Sequence, residues 1–199
     1  AVVVCADNAQ MLKIAYRGMG TLGEDHHVAP SHPEYFPLPK RSRDISGAKK
    51  LLTEAGHPNG IDIDLIVGNT QGRYEQDCAQ ILQQNCAEAG IRINLKVIPA
   101  TQYWPIWDKA AFSLTYWAHR PLGVMSLELA YRSGAAWNES HYSDPAFDAA
   151  LDKAMSIIDP KQRAMAMQSV EQILQDACVM VQPFWGDKFT AASKKVQGF

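Results

Sequence analysis

The segment from Phe112 to Pro121 brings an aromatic ring and a cation to the end of a predicted strand. Phe112 to Trp117 is an apolar, β-prone run, and a cation and a proline follow it closely. Open α/β sheets bind ligands at the carboxyl ends of their strands. Trp117, His119 and Arg120 are therefore predicted ligand contacts. An alternative role for Trp117 is to pack as a core residue at the edge of the sheet.

The guanidinium of Arg120 favours an anionic partner. It can bind a carboxylate or a phosphate through two parallel hydrogen bonds. Two alternatives remain open, which are a structural ion pair with a carboxylate such as Glu128 and contact with solvent alone. The residue type therefore predicts an anion beside Arg120, belonging either to a ligand or to the protein.

A second group of polar residues is predicted at the same edge. Asn69 and Arg73 follow the alternating, β-branched run 61–67, which predicts a strand. The next helix begins at Tyr74, and the amino end of a helix favours an anion. Asn69 and Arg73 are thus further candidate contacts.

Three more candidates lie at or after the end of a predicted short helix, 124–131. These are Tyr131, Trp137 and Asn138. The Asn138 amide can both donate to and accept from a polar ligand. Its alternative role is that of a turn residue before the helix that begins near Ser143.

The clearest local pattern is strand, helix, strand. Run 61–67 is followed by an amphipathic helix, 74–89, and by a second alternating strand, 91–98. This βαβ unit predicts parallel strands and a right-handed crossover. Strand 112–117 is predicted to join the same sheet, and the fold class is therefore α/β, with a mostly parallel sheet flanked by helices.

The remaining pattern consists of helices and two late strands. Segment 18–43, rich in glycine and proline, is predicted to be irregular. Helix starts are indicated by Asp7, by Asp44 or Ser46, and by Asp159. Further helices are predicted over 8–18, 48–55, 101–110, 143–157 and 160–175, and late strands over 179–185 and 188–192.

Composition excludes several classes of function. The 199 residues fit one domain or one large lobe, and a net charge of −2 argues against a nucleic-acid partner. No apolar run reaches the roughly 20 residues of a membrane helix. Motifs of hydrolases, zinc peptidases and nucleotide-binding enzymes are missing from the sequence, so a binding protein is predicted rather than an enzyme.

Histidines and cysteines give no signal for a metal or cofactor. His26, His27 and His32 share one loop, and the simplest interpretation is solvated side chains. Cys78 and Cys86 lie on one predicted helix, about 12 Å apart by helical rise, too far for a disulfide. Buried thiols are expected, while a bridge that involves Cys5 or Cys178 stays open.

Several segments, in their order and spacing, resemble the family 5 extracellular solute-binding proteins, the peptide, opine and nickel receptors of bacterial ABC importers. The segments that carry the resemblance are 18–21, 30–35, 48–56, 82–91, Tyr116-Trp117, Trp137-Asn138, Phe147-Asp148 and 159–163. The resemblance implies a lobe of the type II periplasmic-binding-protein fold. It also implies that residues 1–199 form the C-terminal lobe of a larger two-lobed receptor, from which the N-terminal lobe is missing.

The resemblance further implies a small-molecule or short-peptide ligand, ABC permease subunits as partners, and a periplasmic location, or a cell-surface lipoprotein in a Gram-positive source. Peptide-binding members commonly place an acidic residue three positions after the strand tryptophan, where it holds the ligand ammonium. Here that position is Arg120, which implies an anionic, opine-like or peptide-like ligand. Other expectations are a ligand-sensing or chaperone-like domain on the same fold, or a nickel-complex receptor.

Overall fold

The structure is an α/β arrangement of two small sheets and surrounding helices. The computed structural model describes residues 1–198 and has eight helices and five strands in this range. The helices are α1 Val2–Cys5, α2 Asn8–Ile14, α3 Ile45–Glu54, α4 Tyr74–Ala87, α5 Ala100–Tyr103, α6 Gly123–Ala130, α7 Pro145–Met155 and α8 Pro160–Ala177. The strands are β1 Gly20–Leu22, β2 Ile61–Val67, β3 Ile91–Val97, β4 Ser113–Leu114 and β5 Phe184–Gly186. Within these residues, no helix combines the length and apolar character needed to cross a membrane.

The main sheet has the strand order β3-β2-β4, and both pairings are parallel. β2 and β3 pair along their whole length, from Ile61 opposite Ile91 to Val67 opposite Val97. Helix α4 makes the crossover between them, which confirms the predicted βαβ unit. The carboxyl ends of β2 and β4 therefore lie at one edge of the sheet.

β4 is much shorter than the predicted strand 112–117. It pairs only with the last two residues of β2. Ser113 lies opposite Ile66, and Leu114 lies opposite Val67. Beyond Leu114 the side chains of the chain are held by other partners, as described below. The predicted helix 101–110 is also wrong in length, because α5 ends at Tyr103, just before Trp104-Pro105. Pro105 has no backbone N–H, so it cannot continue the helical hydrogen bonds.

A second sheet joins β1 and β5 in antiparallel register, from Gly20 opposite Gly186 to Leu22 opposite Phe184. A side chain at position 20 would collide with the carbonyl oxygen of Trp185. The prediction that 18–43 is wholly irregular is therefore wrong at β1. The predicted strand 188–192 is also wrong, because no strand follows β5 in the described chain, and strand 179–185 is reduced to its last two residues plus Gly186.

Aspartate side chains begin the helices that the sequence indicated. Asp7, Asp44 and Asp159 accept hydrogen bonds from the backbone N–H three residues ahead, at 2.8, 2.8 and 2.9 Å. Asp144 accepts from the Ala146 N–H at 2.8 Å, with Pro145 in the first turn. These bonds satisfy donors that have no partner inside the helix.

Two hydrophobic cores support the site from opposite sides. One core surrounds β2, β3 and α4, with α1 and α3 packed against it. The other lies between α6, α7 and α8, and Trp117 packs on its edge. The segment from β4 to α6 connects the two cores, so the side chains that follow β4 are held by both.

Candidate functional site

Four tryptophans form a continuous layer beyond the end of β4. In this tryptophan layer, Trp117 lies 6.2 Å from Trp137 and 6.4 Å from Trp107, measured between ring centroids. Trp107 also contacts Trp137 and Trp104, each at 6.4 Å. Trp104 and Trp137 are both 46% exposed, so one side of the layer faces solvent. The layer can therefore offer several edges and faces of indole to a ligand.

A carboxylate fixes the central ring of the layer. Oε1 of Glu139 accepts from Nε1 of Trp117 at 2.7 Å, and Oε2 accepts from the Thr115 hydroxyl at 2.5 Å. Tyr103 contacts the same hydroxyl through its own OH group. Burial raises the pKa of Glu139, and the two hydrogen bonds oppose that effect. Sequence reasoning missed Glu139, because it lies in a polar segment with no periodic pattern.

Arg120 extends over the exposed side of the layer. Its guanidinium carbon lies 5.7 Å from the centroid of the Trp137 ring. The buried Nε has no hydrogen-bond partner within residues 1–198. The alternative prediction, an ion pair between Arg120 and Glu128, is wrong, because the Glu128 carboxylate pairs with Arg132 at 2.5 Å. The guanidinium therefore keeps hydrogen-bonding capacity that the described chain does not use.

His32 holds the backbone of Arg120. The Ala29 N–H donates to Nδ1 of His32 at 2.8 Å, which leaves the ring proton on Nε2. Nε2 then donates to the Arg120 carbonyl over 2.9 Å. His119 stacks on the His32 ring, with 4.9 Å between centroids, and its side chain is exposed. Burial lowers the pKa of His32, which favours this neutral form.

Tyr131 lies behind the layer rather than on its open side. The residue is 4% exposed, and its OH lies 3.2 Å from Nδ1 of His27 and donates to Sδ of Met180 at 3.0 Å. His27 packs on Trp117 with 5.4 Å between centroids. Burial lowers the pKa of His27 to about 3, so the ring is neutral. Tyr131 and His27 thus support Trp117 from within.

Asn138 is the centre of a turn. Its Nδ2 donates to the carbonyls of Arg132 and Tyr142 at 3.1 and 2.7 Å. Its Oδ1 accepts from the Ser140 hydroxyl at 2.8 Å and from the Tyr142 N–H at 3.2 Å. The residue is 6% exposed. Both the oxygen and the nitrogen of the amide are hydrogen-bonded within the protein. Asn138 therefore acts as a turn residue rather than as a ligand contact.

Asn69 also bonds within the protein. Its amide exchanges two hydrogen bonds with Gln76, from Asn69 Nδ2 to Gln76 Oε1 and from the Gln76 N–H to Asn69 Oδ1, both at 3.2 Å. Arg73 is exposed and pairs with Asp77 at 3.4 Å. Neither side chain contacts the tryptophan layer through any hydrogen bond or ring contact in the described chain.

The amino end of α4 is already neutralised by the protein. The buried Glu75 carboxylate accepts from the N–H groups of Thr70 and Gln71, at 2.7 and 3.0 Å, and from the Thr70 hydroxyl at 2.9 Å. The anion expected at this helix end is thus the side chain of Glu75 itself.

The loop histidines are buried rather than solvated. His26 is fully buried, with Nε2 3.3 Å from a carboxylate oxygen of Glu24 and 3.8 Å from one of Glu171. His32 is 5% exposed. Among residues 1–198, no group of three or more His, Cys, Asp or Glu side chains is arranged to hold a metal ion.

The fold is that of a lobe from a type II periplasmic binding protein. The chain aligns with the ABC transporter substrate-binding protein CtaP of Listeria monocytogenes at a TM-score of 0.81 and 19% identity, covering 93% of this chain and 39% of that one. Residues 1–138 match the family described as bacterial extracellular solute-binding proteins, family 5 Middle. The chain therefore belongs to family 5 of the bacterial extracellular solute-binding proteins.

Similar curated proteins bind different ligands. Heme-binding protein A of Haemophilus influenzae is 21% identical over 100% of this chain and 38% of that protein. Glutathione-binding protein GsiB of Pectobacterium atrosepticum is 25% identical over 95% of this chain and 39% of that protein. The chain thus spans well under half the length of these relatives. The matched proteins are solute-binding transport proteins rather than enzymes, and the family is extracellular by description.

Proposed function

We propose that this chain is the C-terminal ligand-binding lobe of an ABC-importer receptor. The complete receptor captures a small peptide or peptide-like solute and delivers it to membrane permease subunits. The observation that carries the proposal is the tryptophan layer with Arg120 beside it, beyond the end of β4 in a family 5 lobe. This is the edge of an α/β sheet at which ligands bind.

The ligand presents an anionic group to Arg120. The guanidinium lies over Trp137 with an unused buried Nε, and no carboxylate of the described chain is paired with it. A ligand ammonium finds no equivalent partner here, because Glu139 is bound to Thr115 and Trp117. An opine-like or acidic peptide-like solute satisfies this arrangement.

A flat or apolar part of the ligand lies on the tryptophan layer. Trp104 and Trp137 are nearly half exposed, although indole rings favour burial. A closed pocket buries about 70–90% of a small ligand. The N-terminal lobe of the complete receptor supplies the rest of that enclosure when the two lobes close about a hinge, in the periplasm or on the cell surface.

A thermal-shift screen of the complete two-lobed receptor tests the proposal. The panel contains dipeptides, oligopeptides, opine-like acidic conjugates, sugars and nickel. A ligand at about 100 times its Kd adds about 2.7 kcal/mol to the free energy of unfolding. Stabilisation by acidic conjugates supports the proposal, and a response to none of the panel except nickel contradicts it.

Substitution of Arg120 separates the anion assignment from the transport role. Arg120→Ala is expected to weaken binding of the acidic ligand by about 1.5–3 kcal/mol. Arg92→Ala is the matched control, because Arg92 is exposed, pairs with Asp62 and lies near the start of β3, away from the carboxyl ends of the strands. Equal affinity in wild type and Arg120→Ala contradicts the assignment of an anionic ligand group to Arg120. The proposed role in import is tested separately by the thermal-shift screen.

A further inference from the structure

Two cysteines from distant parts of the chain meet inside the first core. Cys5 ends α1, and Cys86 lies in the last turn of α4. Both are fully buried and belong to the same hydrophobic cluster. Each thiol is the main influence on the pKa of the other, which is lowered at Cys5 and raised at Cys86, so the two side chains are neighbours in this cluster.

The backbones on either side are tied together independently of the thiols. Arg43 donates from Nε to the Cys5 carbonyl and from an Nη to the Asn85 carbonyl, each at 3.0 Å. The Asp7 N–H donates to Oδ1 of Asn85 at 2.9 Å. A disulfide requires close, facing β-carbons and tolerates little movement of the backbone. Here the Arg43 guanidinium already binds the backbone of both segments.

We propose that Cys5 and Cys86 form a disulfide bond in the extracytoplasmic protein. The bond closes a long loop from α1 to α4 and restricts the unfolded chain. The inference rests on the proposed function only for its location, because disulfides persist in oxidising compartments.

The reaction is a thiol–disulfide exchange with an external disulfide, either a protein oxidant or glutathione disulfide. One of the two cysteines attacks the oxidant as a thiolate and forms a mixed disulfide, releasing one thiolate. The other cysteine, after losing its proton, attacks the sulfur of the first and releases the second thiolate. In total, two thiols lose two protons and two electrons, and the oxidant is reduced to two thiols. Because both residues are fully buried in the native chain, the exchange takes place while the core is still open.

The other two cysteines have different surroundings. Burial, and not another thiol, raises the pKa of Cys78 to about 12. Cys178 lies at the end of α8, in contact with the Gln175 carbonyl.

Thiol counting on the refolded chain tests the pair. The reduced, unfolded chain is refolded in a mixture of reduced and oxidised glutathione, then unfolded again in excess N-ethylmaleimide. The expected product carries two labels on its four cysteines, and its unreduced digest contains one peptide linking Cys5 to Cys86. Four labels, or a different linked pair, overturn the proposal.

A second arm tests the compartment. The same labelling on chain exported to a bacterial periplasm is expected to give the same linked peptide. If the disulfide forms in the refolded sample but both thiols are reduced in the exported sample, the pairing of Cys5 with Cys86 is supported and its formation after export is contradicted. The ligand screen of the complete receptor is independent of both results.

Variants measure what the bond does. When the wild-type chain is unfolded, reduced with dithiothreitol and refolded under the reductant, its melting temperature is expected to be lower than that of the oxidised chain by roughly 5–15 °C. Cys86→Ala should remove this response, and Cys78→Ala, which leaves the pair intact, should retain it. If Cys86→Ala fails to fold, the labelling result on the wild-type chain decides alone. A wild-type melting temperature that does not respond to the reductant overturns the stabilising role.

Discussion

The indole Nε1 of Trp117 donates to the carboxylate of Glu139 over 2.7 Å. The same carboxylate accepts from Thr115, the residue just after β4, at 2.5 Å. One partly buried side chain therefore contacts the segment that leaves the sheet and orients the central ring of the tryptophan layer. Its removal is costly, because both donors then lose their partner.

Glu139→Ala is expected to lower the free energy of unfolding by about 1–3 kcal/mol, since it leaves two partly buried donors unsatisfied. The tryptophan fluorescence should also shift, because Trp117 loses its orientation. Urea unfolding followed by fluorescence measures both effects. Glu139→Gln is the matched control, since its amide can accept from Trp117 and donate to Thr115. A loss as large in Glu139→Gln as in Glu139→Ala would show that charge, and not hydrogen bonding, dominates.

Glu171 predicts a pH dependence of stability. Burial, with the charges of Glu24 and Glu34 adding to it, raises the pKa of Glu171 to about 9 from an ordinary value of 4.5. Between these two values the folded chain holds a proton that the unfolded chain has released. This contribution to stability is therefore present at acidic pH and is lost as the pH rises towards 9, at up to about 1.4 kcal/mol per pH unit.

Glu171→Gln should remove that loss. The variant is expected to exceed the wild type in stability at pH 7 by roughly 1–3 kcal/mol, and the difference should grow as the pH rises towards 9. Urea unfolding at several pH values measures it. Asp176→Asn, on the exposed side of the same helix, controls for the loss of one negative charge. A constant difference between pH 5 and pH 9 would contradict the raised pKa.

The sequence predicted the elements whose pattern is local. Strand 61–67, helix α4 and strand 91–97 each carry their own periodicity, and a βαβ unit follows from their order. The β1–β5 pairing joins Gly20 to Gly186, and neither three-residue strand has a pattern of its own. Such pairings depend on tertiary contacts, which a pattern over a few residues does not contain.

The site was predicted in part for the same reason. Trp117 and Arg120 were found because they follow a recognisable strand. The role of Glu139 depends on a turn that Asn138 organises, and turn geometry is hard to read from residue types alone. Trp104 and Trp107 fall within the predicted helix 101–110, whereas the helix ends at Tyr103 and both rings belong to the tryptophan layer.

Asn138 should matter for stability rather than for ligand recognition. Asn138→Ala removes four hydrogen bonds of a buried amide and is expected to cost about 2–4 kcal/mol. Thermal unfolding of the chain measures this. Ser140→Ala is the control, because the Ser140 hydroxyl lies at the exposed side of the turn, and its loss should cost less than about 1 kcal/mol. Equal stability of wild type and Asn138→Ala would contradict the turn role.

His32 should couple pH to the position of Arg120. Burial lowers the pKa of His32 below its ordinary 6.5, so the folded chain binds fewer protons than the unfolded chain just below that pH. The contribution of His32 is therefore present above pH 6.5 and is lost as the pH falls towards the lowered pKa. Protonation of Nδ1 would break the bond from the Ala29 N–H, and with it the geometry in which Nε2 holds the Arg120 carbonyl.

His32→Ala is expected to reduce stability at pH 7.5 by about 1–3 kcal/mol and to make stability fall less steeply below pH 6.5. In the complete receptor, the same variant should weaken binding of an acidic ligand, because the backbone of Arg120 loses its support. Urea unfolding between pH 5 and pH 8, and calorimetric titration at pH 7.5, measure the two effects. His57→Ala, at an exposed histidine after α3, is the matched control. If the two variants behave alike in both measurements, His32 does not position Arg120.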